Sequence, residues 1–301
     1  MTPEEEQAAE VRRGLIYGLS AFLIWGGLPN LFKLIHEIPA LETLSWRTFF
    51  AFGFLLLLVI VRNRLGRLRA ALRSRRTLAT LALTSLLLAL NWWVFVVAIN
   101  NGQVLQVSLG YYINPLFSVL LGFFLLGERL SRLQVLAVVI AGAGVLNQTL
   151  SLGAFPWLSI GMAVLFGLYG YVRKVVKVEA TEGLLIETAL LMPLAVGYVI
   201  WTRMENTDVL VAGANSPFLY VGIIGVFTAL PLIFFTEAAR RLRLSTIGLL
   251  QYLAPTLHLV GAVWLWHEEL TDVHIITFSC IWVALALYSG PSILAAIRAK
   301  S

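Results

Sequence analysis

The chain has 301 residues, of which 59% are apolar and 13% are charged, against about 25% charged residues in an ordinary soluble domain. This composition excludes a soluble protein, and the net charge of +6 fits the arginine-rich loops of membrane proteins rather than a nucleic-acid partner. One cysteine and four scattered histidines exclude a disulfide framework and a multi-histidine metal site, so no metal and no cofactor are expected.

Ten apolar segments follow one another along the chain when hydropathy is averaged over about 19 residues. Each is long enough for one membrane-spanning helix, at about 20 residues per span. The segments are 14–35, 40–61, 77–99, 104–126, 132–150, 156–173, 183–202, 217–237, 244–266 and 273–296. The longest connection, 62–76, has only 15 residues. The sequence therefore predicts an all-α integral membrane protein without a folded domain outside the bilayer.

The basic residues predict the orientation of these spans. If the N-terminus is cytoplasmic, 19 of the 22 Lys and Arg residues lie on the cytoplasmic side, and only Lys33, Arg47 and Arg203 do not. Cytoplasmic loops carry the excess of Lys and Arg in membrane proteins. Because ten is an even number, the sequence predicts that both termini are cytoplasmic.

The chain also contains an internal repeat. An ungapped shift of 140 residues superposes Glu42 on Glu182, Tyr112 on Tyr252, Pro115 on Pro255 and Glu128 on Glu268. Each copy has five spans, an odd number, so the second copy enters the membrane in the opposite direction. The loop GERLSR (127–132) accordingly becomes HEELTD (267–272), in which acidic residues replace arginine. We therefore expect ten transmembrane helices in two inverted five-helix repeats, 13–150 and 156–298.

Two long segments resemble a known family. LNWWVFVVAINNGQVLQVSLGYYINPLFSVLLGFFLLGERLS (90–131) and LLQYLAPTLHLVGAVWLWHEEL (249–270) are similar to the RarD-type permeases of the EamA branch of the drug/metabolite transporter superfamily. The likeness covers nearly the whole chain. It implies a bacterial inner-membrane transporter with a central cavity between two halves, related to exporters of amino acids and other small metabolites. The label of the group derives from chloramphenicol sensitivity, so amphenicols are also candidate substrates.

Two charged residues fall inside the predicted spans, where they are costly unless they face a cavity or a partner. Arg47 lies in helix 2, which begins outside, and Glu187 lies in helix 7, which begins inside. The two charges are therefore expected in opposite leaflets, more than about 10 Å apart, as gating or structural charges. The alternative is that both only anchor helix ends near the interface. The expected partners are Glu37, Glu42 or carbonyl groups for Arg47, and Lys174 or Lys177 for Glu187.

The candidate substrate-binding residues lie near two prolines, Pro115 and Pro255, which are expected to break their helices in mid-span. Backbone breaks of this kind are tolerated where they line a cavity. Aromatic faces beside hydrogen-bonding side chains suit a small amphipathic or aromatic solute. The alternative for the tryptophans and tyrosines is anchoring at the membrane interface. The candidates are Trp25, Asn91, Trp92, Tyr111, Tyr112, Asn114, Gln251, Tyr252 and His258.

These features predict a monomeric permease that moves a small-molecule substrate across a lipid bilayer by alternating access, in the direction of export. His258 and Glu187 are candidate proton carriers, and both proton-coupled export and facilitated diffusion remain open. No Walker-type loop is present for an ATP-driven pump. The alternatives are an intramembrane enzyme, for which clustered catalytic groups are lacking in the sequence, and a non-transporting membrane scaffold.

Overall fold

The structure, a computed structural model, describes residues 3–33, 37–101, 103–151, 153, 155–210, 218–267 and 271–298. Within these residues the chain forms twelve α-helices and no strand. The helices are α1 (Pro3–Lys33), α2 (Ala40–Val61), α3 (Leu65–Arg73), α4 (Arg75–Asn100), α5 (Val104–Leu126), α6 (Arg132–Ser151), α7 (Trp157–Val175), α8 (Ala180–Met204), α9 (Phe218–Arg241), α10 (Leu244–Leu250), α11 (Leu253–Trp266) and α12 (Asp272–Arg298). The predicted all-helical class is confirmed.

Seven of the described helices are long and apolar enough to cross a membrane, namely α2 and α4 to α9. Their outward surfaces carry large apolar side chains, such as Phe124 and Trp157, each 73% exposed. A soluble protein does not leave so much apolar surface in water, so these faces contact lipid. The chain is thus a multi-pass membrane protein, although seven candidate spans are fewer than the ten that the sequence predicts.

Helix α3 lies within the 62–76 segment, which the sequence analysis treats as a loop. Leu68 and Ala71 pack with apolar side chains of α4 and α8, while Arg69 and Arg73 are exposed. A short helix with one apolar and one basic face is stable where a protein core meets polar surroundings. The segment is helical because its leucines recur at the spacing of a helix face.

The predicted helix over 244–266 is two helices, interrupted at Gln251 and Tyr252. Pro255 contributes to the interruption, because a proline ring collides with the carbonyl four residues earlier and cannot donate to it. The amide of Tyr252 donates instead to Leu249 at 3.1 Å. The equivalent Pro115 lies inside the continuous helix α5, so the expected break is found near one proline and not near the other.

Helices from the first half of the chain pack mainly against helices from the second half. Helix α1 packs on α9 and α11, α2 on α8 and α9, and α4 on α7 and α8. Helix α5 packs on α7 and α10, and α6 packs on α12. The largest buried apolar cluster accordingly draws residues from α1, α2, α4, α7, α8 and α9. The core, and any cavity inside it, therefore belongs to both halves.

Polar contacts tie several connecting segments together at one end of the bundle. Arg64 lies 3.7 Å from Glu182, Arg240 lies 3.1 Å from Glu179, and Arg241 lies 2.9 Å from Glu10. Arg243 donates to the carbonyl of Arg129 at 2.6 Å. These contacts bring the N-terminal turns of α1 and four connecting segments to one end: 62–64, 127–131, 176–179 and 242–243.

Candidate functional site

A small, partly enclosed cavity lies where α2 and α4 meet α8 and α9. Its volume is about 20 Å³, which is room for about one water molecule. It is lined by Arg47, Thr48, Ala51, Leu88, Trp92, Leu184, Glu187, Thr188, Leu191, Thr228, Ala229 and Leu232. The lining joins two charged residues and one aromatic residue that the sequence analysis singles out: Arg47, Glu187 and Trp92.

Arg47 reaches this cavity from the first half of α2. Its guanidinium carbon lies 4.1 Å from the centre of the Trp92 ring, which is a cation–π contact. The side chain is only 7% exposed, and its Nε and Nη2 atoms have no hydrogen-bond partner. The expected pairing with Glu37 or Glu42 is not found. Glu42 instead accepts the amides of Val209 and Leu210, the latter at 2.8 Å.

Glu187 lies at the same cavity and is fully paired. Its Oε1 lies 3.3 Å from Nη1 of Arg173 and accepts the hydroxyl of Thr84 at 2.6 Å. The Tyr169 hydroxyl donates to Oε2 at 3.4 Å, and Ser85 donates to the backbone carbonyl of Glu187 at 2.7 Å. Because a buried carboxylate needs both a counter-charge and hydrogen bonds, this network explains how Glu187 is tolerated with none of its surface exposed.

The partner of Glu187 is Arg173, which the sequence analysis counts only as a loop charge. Arg173 is completely buried at the end of α7, and it donates to the carbonyl of Ala180 at 3.1 Å. Gly183 makes room for it, since an added Cβ would lie 2.2 Å from Nη1 of Arg173. The expected partner Lys174 donates instead to the carbonyls of Ala239 and Leu242. The predicted pairing of Glu187 with Lys174 or Lys177 is therefore wrong, because Glu187 pairs with Arg173.

Arg47 and Glu187 line one cavity, but no ion pair joins them within the described residues. They therefore do not form an ion pair in this conformation, and their expected separation of more than about 10 Å in opposite leaflets stays a prediction. The 140-residue shift that superposes Arg47 on Glu187 also superposes Lys33 on Arg173, but this alignment alone does not show that Arg173 pairs with Glu187. Arg173 precedes Glu187 by 14 residues, and in the first half of the chain Lys33 precedes Arg47 by the same number.

Tyr112, Tyr252 and Gln251 lie together away from this cavity. The Tyr252 hydroxyl donates to the backbone carbonyl of Tyr112 at 3.2 Å, and the Tyr112 ring packs edge-on against Phe278. Gln251 donates to the Ser118 hydroxyl at 3.0 Å. Both tyrosines are buried in a cluster built from α5, α6, α10 and α12, so in this conformation they pack the interface between the halves.

The remaining five candidates lie outside the lining of the cavity. Trp25, Tyr111 and His258 meet where α1, α5 and α11 converge, because His258 Nε2 lies 3.1 Å from the Trp25 carbonyl and the Tyr111 ring stands edge-on to His258. Asn91 donates to the carbonyl of Met162 at 3.0 Å. Asn114 is buried, and its Oδ1 has no hydrogen-bond partner. In this conformation these five residues therefore contact other helices rather than the cavity beside Arg47.

The family model and the curated relatives agree on the family of this chain. The model of the EamA-like transporter family matches residues 12–147. The uncharacterized transporter YojE of Bacillus subtilis is 42% identical over 289 residues, covering 94% of this chain and 95% of the relative. The chain belongs to the EamA-like transporter family. Protein RarD of Salmonella typhimurium is 41% identical to this transporter over 281 residues, covering 93% of this chain and 96% of the relative.

The expected membership in the RarD group of the drug/metabolite transporter superfamily is thus confirmed. One solved crystal structure superposes on this EamA-like transporter with a TM-score of 0.72, covering 92% of this chain and 96% of the other. At 18% sequence identity, this match shows a shared fold. As a member of a transporter family, the protein acts on a small molecule in a lipid bilayer.

Another buried carboxylate of this transporter, that of Glu128, holds the start of α10. Glu128 accepts the amides of Leu244 and Ser245 at 2.6 and 2.9 Å, and the Ser245 hydroxyl at 2.6 Å. Gly127 turns the chain behind α5 with a φ of 63°, which favours glycine. Gly122 leaves space for the carboxylate, because an added Cβ would lie 2.6 Å from it. The LGERLS string is therefore a cap that joins the two halves.

Proposed function

We propose that this transporter is a bacterial inner-membrane permease that exports a small metabolite or drug-like solute, such as an amino acid or an amphenicol, by alternating access. The observation that carries the proposal is the cavity lined by α2 and α4 from one half and by α8 and α9 from the other. Transporters built from inverted repeats bind their substrates at the interface between the repeats. A cavity of about 20 Å³ admits no such solute, so the halves must separate on one side to load it.

We infer that the halves are inverted five-helix repeats, 13–150 and 156–298. Under the 140-residue shift, α1 corresponds to α7, α2 to α8, α4 to α9, α5 to α10 with α11, and α6 to α12. The packing is consistent with this exchange: α1 on α9 corresponds to α7 on α4, and α5 on α7 corresponds to α11 on α1. Adding α1, the α10–α11 pair and α12 to the seven candidate spans gives ten crossings.

The proposed orientation has both termini in the cytoplasm. The basic segments 62–76, 127–132, 173–183 and 239–245 are connected by polar contacts at one end of the bundle, together with the first turns of α1. Loops rich in Lys and Arg are retained on the cytoplasmic side. We therefore assign this end to the cytoplasm, and the end at which Glu42 accepts the amides of Val209 and Leu210 to the outside.

The solute path is proposed to pass Trp92 and Arg47, with the nearby candidates joining as the cavity opens. Tyr112 and Tyr252 are buried in this conformation. They can contact the solute only if the packing of the helices changes as the cavity opens. Proton coupling, if present, would use Glu187 or His258, and the protein is proposed to work as a monomer. Facilitated diffusion needs neither titrating residue.

Flux in liposomes tests the proposal. The purified protein should move radiolabelled amino acids or chloramphenicol across the bilayer, and Trp92→Ala should reduce the rate several-fold by removing one wall of the cavity. Tyr112→Ala and Tyr252→Ala test whether the predicted tyrosines also contact the solute. Trp201→Ala is the control, because this side chain is 55% exposed on the lipid side. Conversion of the solute without movement would indicate an enzyme, and neither activity would indicate a scaffold.

A further inference from the structure

Arg47 places an uncompensated positive charge at the cavity. Its side chain is 93% buried, since only 7% of its surface is exposed. Within the described residues no carboxylate lies within ion-pair distance of it. The other charged residue of the lining, Glu187, is already neutralised by Arg173. The positive charge of Arg47 is therefore not balanced by a negative charge in the lining.

The unpaired atoms of Arg47 are the ones that recognise a carboxylate. Nε and Nη2, which both lack a partner, lie along one edge of the planar guanidinium. Two parallel N–H bonds from such an edge match the two oxygens of one carboxylate. The centre of the Trp92 ring lies 4.1 Å from the guanidinium carbon, and Nε and Nη2 remain buried without a hydrogen-bond partner beside it.

Three threonines of the lining offer hydrogen-bond acceptors. Thr48, Thr188 and Thr228 each donate their hydroxyl proton to the carbonyl four residues earlier, at 2.7 Å. Their oxygens therefore retain lone pairs and can accept from an N–H group of a solute. The rest of the lining, apart from the charged residues and Trp92, consists of alanine and leucine.

We propose that Arg47 binds the carboxylate of the transported solute, and that the solute is an amino acid, whose ammonium group faces the threonine oxygens. The proposal rests on the proposed transport function and narrows it, because an amphenicol has no carboxylate for Arg47 to bind. The guanidinium is then an unpaired charge only while the cavity is empty.

Stability measurements on the purified, ligand-free protein test the first part. A buried charge without a partner destabilises a fold, and the removal of one partner from a buried pair does so strongly. Arg47→Gln should therefore unfold at the same temperature as the parent or higher. Arg173→Gln is the matched control and should unfold at least about 5 °C lower, because it leaves Glu187 buried without a counter-charge. A comparable fall for Arg47→Gln would show a structural role and overturn the proposal.

Ligand binding tests the second part, with thermal shift as the readout. The probes are the twenty common L-amino acids and, for each that raises the melting temperature, its amide. At least one amino acid should stabilise the parent, its amide should need at least tenfold higher concentration, and Arg47→Gln should abolish that difference. Arg203→Gln, which changes an exposed arginine paired with Asp208, should respond like the parent. If no amino acid binds, or if acid and amide bind Arg47→Gln and the parent alike, the proposal is overturned.

Flux of the same probes separates this proposal from the transport function. If chloramphenicol crosses liposomes through the parent and through Arg47→Gln at equal rates while amino acids do not cross, the permease function stands and the carboxylate site fails. If an amino acid stabilises the parent through Arg47 but no probe crosses, the site stands and the transport function fails.

Discussion

At the scale of single residues, Glu128 is the clearest link between the halves. Its carboxylate satisfies two backbone amides at the start of α10 that have no partner within that helix. We expect Glu128→Ala to lower the free energy of unfolding by about 2–3 kcal/mol, because it removes charge-assisted hydrogen bonds and leaves buried amides unpaired. Glu128→Gln keeps an acceptor oxygen and should lose less. Thermal unfolding in detergent measures both, and Glu205→Ala, at an exposed position, should leave stability unchanged.

Glu179 gives a prediction for pH, since it lies outside the membrane-spanning helices. The hydrogen bond from Arg240 holds the pKa of this carboxyl below its ordinary value, with Arg67 and Arg64 adding to the effect. Since the folded state favours the ionised form, the stabilisation is complete above the ordinary pKa and is lost as the pH falls through the lowered one. The melting temperature of Glu179→Gln should thus lie slightly below that of the parent at neutral pH. An equal difference between the two proteins at pH 3 and pH 7 would contradict this.

Sequence reasoning reached some of these residues and not others. Arg47, Trp92 and Glu187 stand out because charged and aromatic side chains are costly or conspicuous within apolar segments, and all three line the cavity. Arg173 follows an apolar segment directly and reads as a topology charge. Only the fold shows that α7 continues to Val175 and that Gly183 admits the guanidinium.

At the scale of elements, the packing of α10 on α5 depends on one glycine. An added Cβ at Gly248 would lie 2.6 Å from the backbone carbonyl of Pro115, which cannot rotate away as a side chain could. We expect Gly248→Ala to destabilise the protein by about 1–3 kcal/mol through overpacking. Gly53→Ala in α2 is the matched control, because nothing lies within 4 Å of its added Cβ. It should be neutral or stabilising by up to about 1 kcal/mol, and equal effects of the two substitutions on the unfolding temperature would disprove this account of the interface.

The helix ends show how far hydrophobic periodicity and the positions of prolines predict the helices of this chain. The apolar runs gave α2, α5 and α6 within about one residue of their observed ends. The interruption at Gln251 depends on how α10 packs against α5, and not on Pro255 alone, because Pro115 is accommodated in a continuous helix. A local rule states which hydrogen bond is lost, whereas the tertiary packing decides whether the helix ends there.

At the scale of the whole molecule, the proposed inverted repeat makes the two ends comparable. Near the proposed outer end, Glu42 is 1% exposed and accepts the amides of Val209 and Leu210. The equivalent Glu182, at the proposed inner end, is also 1% exposed, but its oxygens have no hydrogen bond and Arg64 lies 3.7 Å away. Of these two equivalent glutamates, Glu42 is thus held by backbone amides and Glu182 by an arginine.

The Glu42 contact yields the last prediction, because the proposed alternating access requires the proposed outer end to open. Opening must separate the start of α2 from the segment that follows α8, and the three hydrogen bonds of Glu42 join these two parts. Cysteines at positions 42 and 210, in a chain with Cys280→Ser, should therefore react with a short bis-methanethiosulfonate cross-linker. The cross-link should stop flux in liposomes, and a reductant should restore it. Each single-cysteine variant, treated with the same reagent, should still transport, because the two parts remain free to separate. If the doubly substituted, cross-linked protein moves solute at the rate of the untreated one, the outer end does not open between α2 and this segment, and the path leaves the molecule elsewhere.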